Sequence, residues 1–212
     1  CVTGLIVRDT GGDFTFAGQL VILILIQLGG LGIITFTNIM IVLRRGRLSL
    51  IQRQLQEEST GLLPHLPASA VLKRVFVFTF SFEILGAAIL TARFWSAYDQ
   101  EFTTALWNGV FHSVSAFCNA GFALFSDSFM RYRGDVVITS TLMMLIIAGG
   151  IGFVIFADLG RFFRMHFLGE RSRIAFHTRV VLWTTLFLLL FGSLVFYALE
   201  NRGVSMENHG FF

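Results

Sequence analysis

Long stretches without a charged side chain constrain this sequence more than any other feature. Segments 14–43, 102–126, 136–157 and 180–199 hold no Asp, Glu, Lys or Arg, and 75–92 holds one, Glu83. A helix needs about 20 apolar residues to cross a hydrocarbon layer of about 30 Å. Four windows meet that need, and they predict membrane spans near 16–43, 75–95, 136–160 and 180–199. Charged residues are 14% of the chain, against about 25% in soluble domains, which argues against a water-exposed globule. Two cysteines among 212 residues cannot staple a disulfide framework.

The window 102–126 has a different chemistry. It carries Thr103, Thr104, Asn108, His112, Ser113, Ser115, Asn119 and Ser126, and it is interrupted by Gly109 and Gly121. A lipid-facing helix would leave those polar groups unsatisfied, whereas a re-entrant hairpin buried in protein tolerates them. The expected course is a short helix over 102–116, an extended stretch, and a return to the same face. Asp99 and Glu101 stand just ahead, where carboxylates suit a helix N-terminus. A fifth ordinary span is the alternative.

Orientation follows from the basic residues. The connections 44–74 and 161–179 carry 11 of the 16 Lys and Arg, so the positive-inside rule puts both in the cytoplasm and brings the hairpin in from outside. The net charge of +3 is therefore a membrane-topology signal, with no nucleic-acid partner implied. No signal peptide is read, because the first apolar run follows an acidic segment and lacks a basic leader. Opening on Cys1 and closing mid-pattern, the chain is expected to be a piece of a longer protein.

An internal repeat supports the hairpin. Residues 27–38 lie over 147–158 with three shared glycines and one shared Phe, and Cys1-Val2-Thr3-Gly4 lies over Cys118-Asn119-Ala120-Gly121. The repeating unit is span, pore hairpin, Cys-x-x-Gly, span with Gly-Gly-x-Gly. Three segments follow: 1–74 closes a first repeat, 75–165 is a complete second one, and 166–212 opens a third. The fold class is an all-α membrane protein of span–pore hairpin–span repeats, with four transmembrane helices and one re-entrant pore helix.

Such a unit is the architecture of ion pores, where backbone carbonyls replace a cation's hydration shell and Gly permits the tight backbone. Cys1, Val2, Thr3, Gly4, Cys118, Asn119, Ala120 and Gly121 are the expected filter residues, acting mainly through main-chain oxygens. Asn119 also has a side chain suited to holding the filter. Gly29, Gly30, Gly32, Gly149, Gly150 and Gly152 read as sites of close helix contact or of a bend.

Stretches 3–10, 27–32 and 112–122 resemble the Trk/Ktr/HKT potassium transporters, most closely the bacterial ion-translocating subunit of Ktr type. The resemblance covers nearly the whole chain. It implies four span–pore–span repeats in one polypeptide of the cytoplasmic membrane, each giving one filter strand with a single Gly. It further implies K⁺ as the transported ion, a homodimer of full-length chains, and a cytosolic nucleotide-binding ring as regulatory partner. In related plant transporters Ser at the first filter position goes with sodium transport, so Gly4 favours potassium. A sodium-conducting relative and a non-transporting scaffold subunit are the alternatives. The family's gating segment falls outside this sequence.

Three acids remain. Glu83 sits alone within a span, where charge costs about 3 kcal/mol on insertion scales. The preferred reading is an inward-facing structural pair, with missing repeats as one source of its partner, and the sharper one is a cation-coupling site. Asp9 and Asp127 either gather cations at the outer mouth or solvate their loops, and Asp158 reads as a solvated boundary residue. No enzyme signature is present, since His65, His112, His166, His177 and His209 lack metalloprotease spacing and no nucleophile elbow or Walker lysine occurs. No cofactor is expected. His112 reads as a packing or hydrogen-bonding residue, and zinc binding by Cys1 with Cys118 as remote.

Overall fold

The computed structural model describes residues 4, 6–31, 68–169 and 173–200. The described residues form α-helices and one short 3₁₀ turn, without strands. Helix α1 (Phe16–Gly30) starts where the Thr15 hydroxyl accepts the Gly18 N–H at 3.4 Å, one of the donors a helix start leaves unpaired. The expected span continues to 43, beyond the described residues. Helix α2 (Ala68–Tyr98) contains an apolar stretch, Leu72–Tyr98, long enough to cross a membrane. It stops at Asp99, a non-glycine residue with φ of +49°.

Helix α3 (Phe102–Phe117) fits the expected short helix over 102–116. Its 16 residues rise about 24 Å, less than a bilayer core of about 30 Å. Its buried face includes Asn108, His112, Ser113 and Ser115, so these polar groups meet protein, as a re-entrant helix requires. A 3₁₀ turn (Met130–Tyr132) leads to α4 (Val136–Ile151), α5 (Phe153–Phe167) and α6 (Phe176–Glu200).

The chain divides into two compact units, Cys1–Phe153 and Val154–Phe212. In the first, α3 packs against α1, α2 and α4. Leu90, Phe94, Ala105, Tyr132 and Ile138 form one buried cluster, and Ile26, Phe111, Val114 and Ala120 form another. Small residues bring α2 and α3 together, since a Cβ on Gly86 would lie 2.6 Å from the Ser113 hydroxyl. Such approach is how membrane helices gain packing energy without a hydrophobic driving force.

Asp135 closes the hairpin. Its Oδ1 caps α4 by accepting the Val137 and Ile138 N–H groups at 3.0 and 3.2 Å. Its Oδ2 accepts from Arg93 Nε at 2.8 Å and from the Tyr98 hydroxyl at 3.0 Å, both on α2. Through this one carboxylate the end of α2 is tied to the start of α4, with α3 beginning four residues after α2 stops. The chain enters and leaves at the same end.

The span over 136–160 is broken at Gly152, one of the glycines read as sites of close contact or of a bend. Its φ of +80° and ψ of 162° leave helical space, so α4 ends there and α5 begins at Phe153. With α4 and α5 counted as one broken span, three candidate spans are described, the others being in α2 and α6. Asp158 is not solvated. It is 4% exposed, accepts from Arg161 Nη2 at 2.8 Å and from the Ala175 N–H at 2.9 Å, and so ties α5 to the turn before α6. The expected span over 180–199 lies within α6, whose Trp183, Phe187, Leu190 and Leu194 are exposed, as lipid-facing side chains would be.

Candidate functional site

Every helix ends with carbonyls that lack an intrahelical partner, and the end of α3 shows where these are used. The Cys118 N–H donates to Val114 O at 2.9 Å, Asn119 N–H to Ala116 O at 3.0 Å, and Ala120 N–H to Ser115 O at 2.8 Å. Three successive amides thus turn back onto the helix. The chain passes through left-handed geometry at Asn119 (φ +52°) and again at Gly121 (φ +75°). Among the described residues no donor reaches the carbonyl oxygens of 118–121.

Side chains of α3 hold the segment that follows. The Ser115 hydroxyl donates to Phe122 O at 2.7 Å, and His112 Nε2 accepts the Leu124 N–H at 3.0 Å. Because Nε2 accepts, the neutral ring carries its proton on Nδ1, which donates to Asn108 O at 2.7 Å. The ring stacks on Phe125 with centroids 4.7 Å apart and is edged by Phe94, Phe111 and Phe129. Asn119 Nδ2 reaches Phe117 O and, on α4, Ile146 O, each at 3.3 Å.

Glycines from two helices crowd the end of α3. A Cβ on Gly30 of α1 would strike the Cys118 side chain, and one on Gly149 of α4 would strike the Phe117 carbonyl. Both belong to the Gly-Gly-x-Gly motifs, and close contact is the role expected of them; Gly32 lies outside the described residues. Gly4, with φ of +57°, meets Gly121 directly, since its Cβ would lie 2.6 Å from the Gly121 Cα. The two repeat glycines therefore lie side by side in left-handed conformations, which side chains disfavour. Cys1, Val2 and Thr3 lie outside the described residues. An open cavity of about 290 Å³ flanks the segment, with His112, Ser115, Asn119, Gly121 and Phe122 in its wall.

Glu83 of α2 is 4% exposed. Its Oε2 accepts from Gln27 Nε2 at 3.2 Å and its Oε1 faces the Cys118 thiol at 3.9 Å, while its backbone carbonyl takes the Ser113 hydroxyl at 2.7 Å. It thus has partners within this chain, on α1 and α3 and at the end of α3. Asp9 is half-buried, and its carboxylate accepts the Gly11 N–H at 2.9 Å. The Ser126 hydroxyl, then that N–H, hold the Asp9 carboxyl below the usual carboxylate range. Asp127 is exposed beside Ser126 and shares a surface hollow with Arg131. Among the described residues no three His, Cys, Asp or Glu side chains converge as a metal site.

Sequence reasoning left His112 without named partners and did not single out Ser115, Gln27 or Asp135. For His112 a signal existed: Asn108, His112 and Ser115 follow helical spacing and share one polar face of the helix.

Comparison with known proteins gives a consistent picture. The family of TrkH cation transport proteins matches residues 1–206. The Ktr system potassium uptake protein B of Vibrio alginolyticus is 38% identical over 203 residues, covering 95% of this chain and 43% of that protein. Its namesake in Bacillus subtilis is 36% identical over 208 residues, 98% of this chain and 45% of the relative. The potassium/sodium uptake protein NtpJ of Enterococcus hirae is 30% identical over 206 residues, 97% and 44% respectively. The chain thus spans less than half the length of these relatives. With matched sequence running almost from end to end, this chain belongs to the TrkH cation transport family.

Proposed function

We propose that the chain is part of a potassium uptake protein of the cytoplasmic membrane, and that the backbone at 118–121, with its repeat partner at 1–4, contributes two strands of a cation filter. The observation that carries this reading is the set of carbonyls at 118–121. The amides of 118, 119 and 120 are spent on α3, while among the described residues no donor reaches the oxygens of 118–121. Carbonyls in that state can replace water around a dehydrated cation. The C-terminal end of α3, which carries partial negative charge, supports a cation in the same place. Gly121 against Gly4 fits two filter strands meeting at one axis.

Potassium is favoured because the Ktr relatives are named for it and because Gly occupies position 4. The naming of NtpJ for potassium and sodium keeps sodium as the second ion to test. In this reading 1–74, 75–165 and 166–212 are parts of three successive repeats, and Asp9 and Asp127 stand at the outer mouth. A homodimer of full-length chains and a cytosolic nucleotide-binding ring complete the assembly; a pull-down from membranes that recovers no such ring would remove that partner. The central test is Gly121→Ser in the full-length protein. The expected result is a potassium-over-sodium uptake preference reduced about tenfold or more, the cost of losing roughly one well-made interaction per ion. Unchanged preference at normal abundance would refute the filter and leave a scaffold role.

A further inference from the structure

A filter strand built around glycine has little stiffness of its own, yet ion discrimination depends on where its oxygens are held. The upstream limb is held by α3 through the amides of 118–120. The downstream limb needs a separate hold, and the structure provides two contacts for it: Ser115 on the Phe122 carbonyl and His112 on the Leu124 amide.

We infer that His112 is a positioning residue for ion selectivity, a rigid strut that fixes the limb leaving Gly121; this rests on the filter reading above. Imidazole suits the task because one planar ring accepts at Nε2 and donates at Nδ1 across a fixed width. At one edge it takes the Leu124 N–H at 3.0 Å, and at the other it gives to Asn108 O, inside α3, at 2.7 Å. Packing keeps the ring from rotating: it is 1% exposed, stacked on Phe125 and flanked by three further phenylalanines. The ring therefore transmits the position of the helix to the backbone three residues past Gly121. A histidine serving only as core filler would also pair its buried ring nitrogens, so the roles differ in whether loss of those bonds changes ion preference or only stability.

The experiment separates these roles in the full-length protein, with rubidium and sodium uptake measured in cells lacking other potassium uptake. His112→Phe keeps a ring in the aromatic cluster and removes both bonds. Leu124→Pro removes the amide that His112 accepts, but it also fixes φ and deletes a side chain packed against the Ile26 cluster. Leu124→Ala, which keeps the amide, is therefore run as its control and should retain the preference. His112→Phe and Leu124→Pro are each expected to lower rubidium-over-sodium preference about tenfold, the scale of one hydrogen bond. The double variant should be no worse than the single ones, as for groups acting through one contact. Where His112→Phe fails to accumulate, Leu124→Pro carries the test. Normal preference in His112→Phe or Leu124→Pro protein that accumulates overturns the inference, and so does full additivity. Gly121→Ser is run alongside: if it shifts preference while His112→Phe does not, the strut falls and the filter stands. If Gly121→Ser leaves preference unchanged, both fall.

Discussion

Glu83 and Asp135 show what a single carboxylate does in this protein. Asp135 caps α4 and binds α2 at once, with its side chain 2% exposed against 40% for Arg93. Burial by itself would raise its pKa, but the bonds from Arg93, the Ile138 amide and Tyr98 outweigh it and hold the carboxyl below its ordinary value of 3.8. A depressed folded-state pKa means stability that is present above the unfolded value and lost as pH falls through the folded one. The hairpin tie should therefore be intact at neutral pH and weaken only below about pH 4. Asp135→Ala should cost about 2 kcal/mol, a lost cap plus stranded donors, and should abolish that acid dependence in thermal unfolding of detergent-purified protein.

For Glu83 the informative contrast is between two substitutions. Glu83→Gln keeps an acceptor for Gln27 and a polar neighbour for Cys118, and should preserve stability. Glu83→Leu strands Gln27 and should cost about 1–3 kcal/mol, the penalty for an unsatisfied buried donor. Thermal unfolding of the two variants checks this. A Gln variant as damaged as the Leu variant would show that the negative charge itself is required for stability. A stable Gln variant with lost uptake would favour the cation-coupling alternative.

At the level of elements, the break between α4 and α5 is the main departure from periodicity. Segment 136–157 is uncharged throughout, and nothing in hydropathy separates a straight span from one interrupted by a single glycine. Gly152 decides it by adopting φ +80° and ψ 162°, a region costing other residues about 1–3 kcal/mol. A Cβ there would touch nothing within 4 Å, and the same holds for Gly160 within α5. The two sites should respond with opposite signs. Gly152→Ala should lower stability by about 1–3 kcal/mol through backbone strain alone. Gly160→Ala should raise it by about 0.5–1 kcal/mol through helix propensity. Differential scanning of both variants would show it.

The whole molecule is legible as a membrane protein because of what its surface lacks. The Trp183, Phe187 and Leu190 side chains of α6 face outward, and an apolar exterior of this kind is covered by lipid or by further protein. Relatives are more than twice as long as the region matched here, and on the proposed filter reading two strands are too few to enclose an ion. Expression of residues 1–212 alone should fail to restore growth of a potassium-uptake-deficient bacterium at limiting potassium. The full-length protein should restore it.

The sequence by itself determined where helices run and which one is re-entrant. Those features follow from rules that act locally: lipid excludes charge and unpaired backbone, so apolar length marks spans and polar content marks the hairpin. It also marked Gly121 and Gly4, because a repeated Cys-x-x-Gly is visible without a fold. Only tertiary structure decided the partners. Gln27 and Glu83 are 56 residues apart, and Arg93 and Asp135 are 42 apart. Asp158, read as a solvated boundary residue, is buried because Arg161 and the turn before α6 close over it. Hydrogen bonds between distant segments depend on which helix faces meet, and helical periodicity fixes a face without naming its neighbour. The same limit hid the work of His112, whose two partners are an α3 carbonyl and a loop amide that only the folded hairpin brings to opposite edges of one ring.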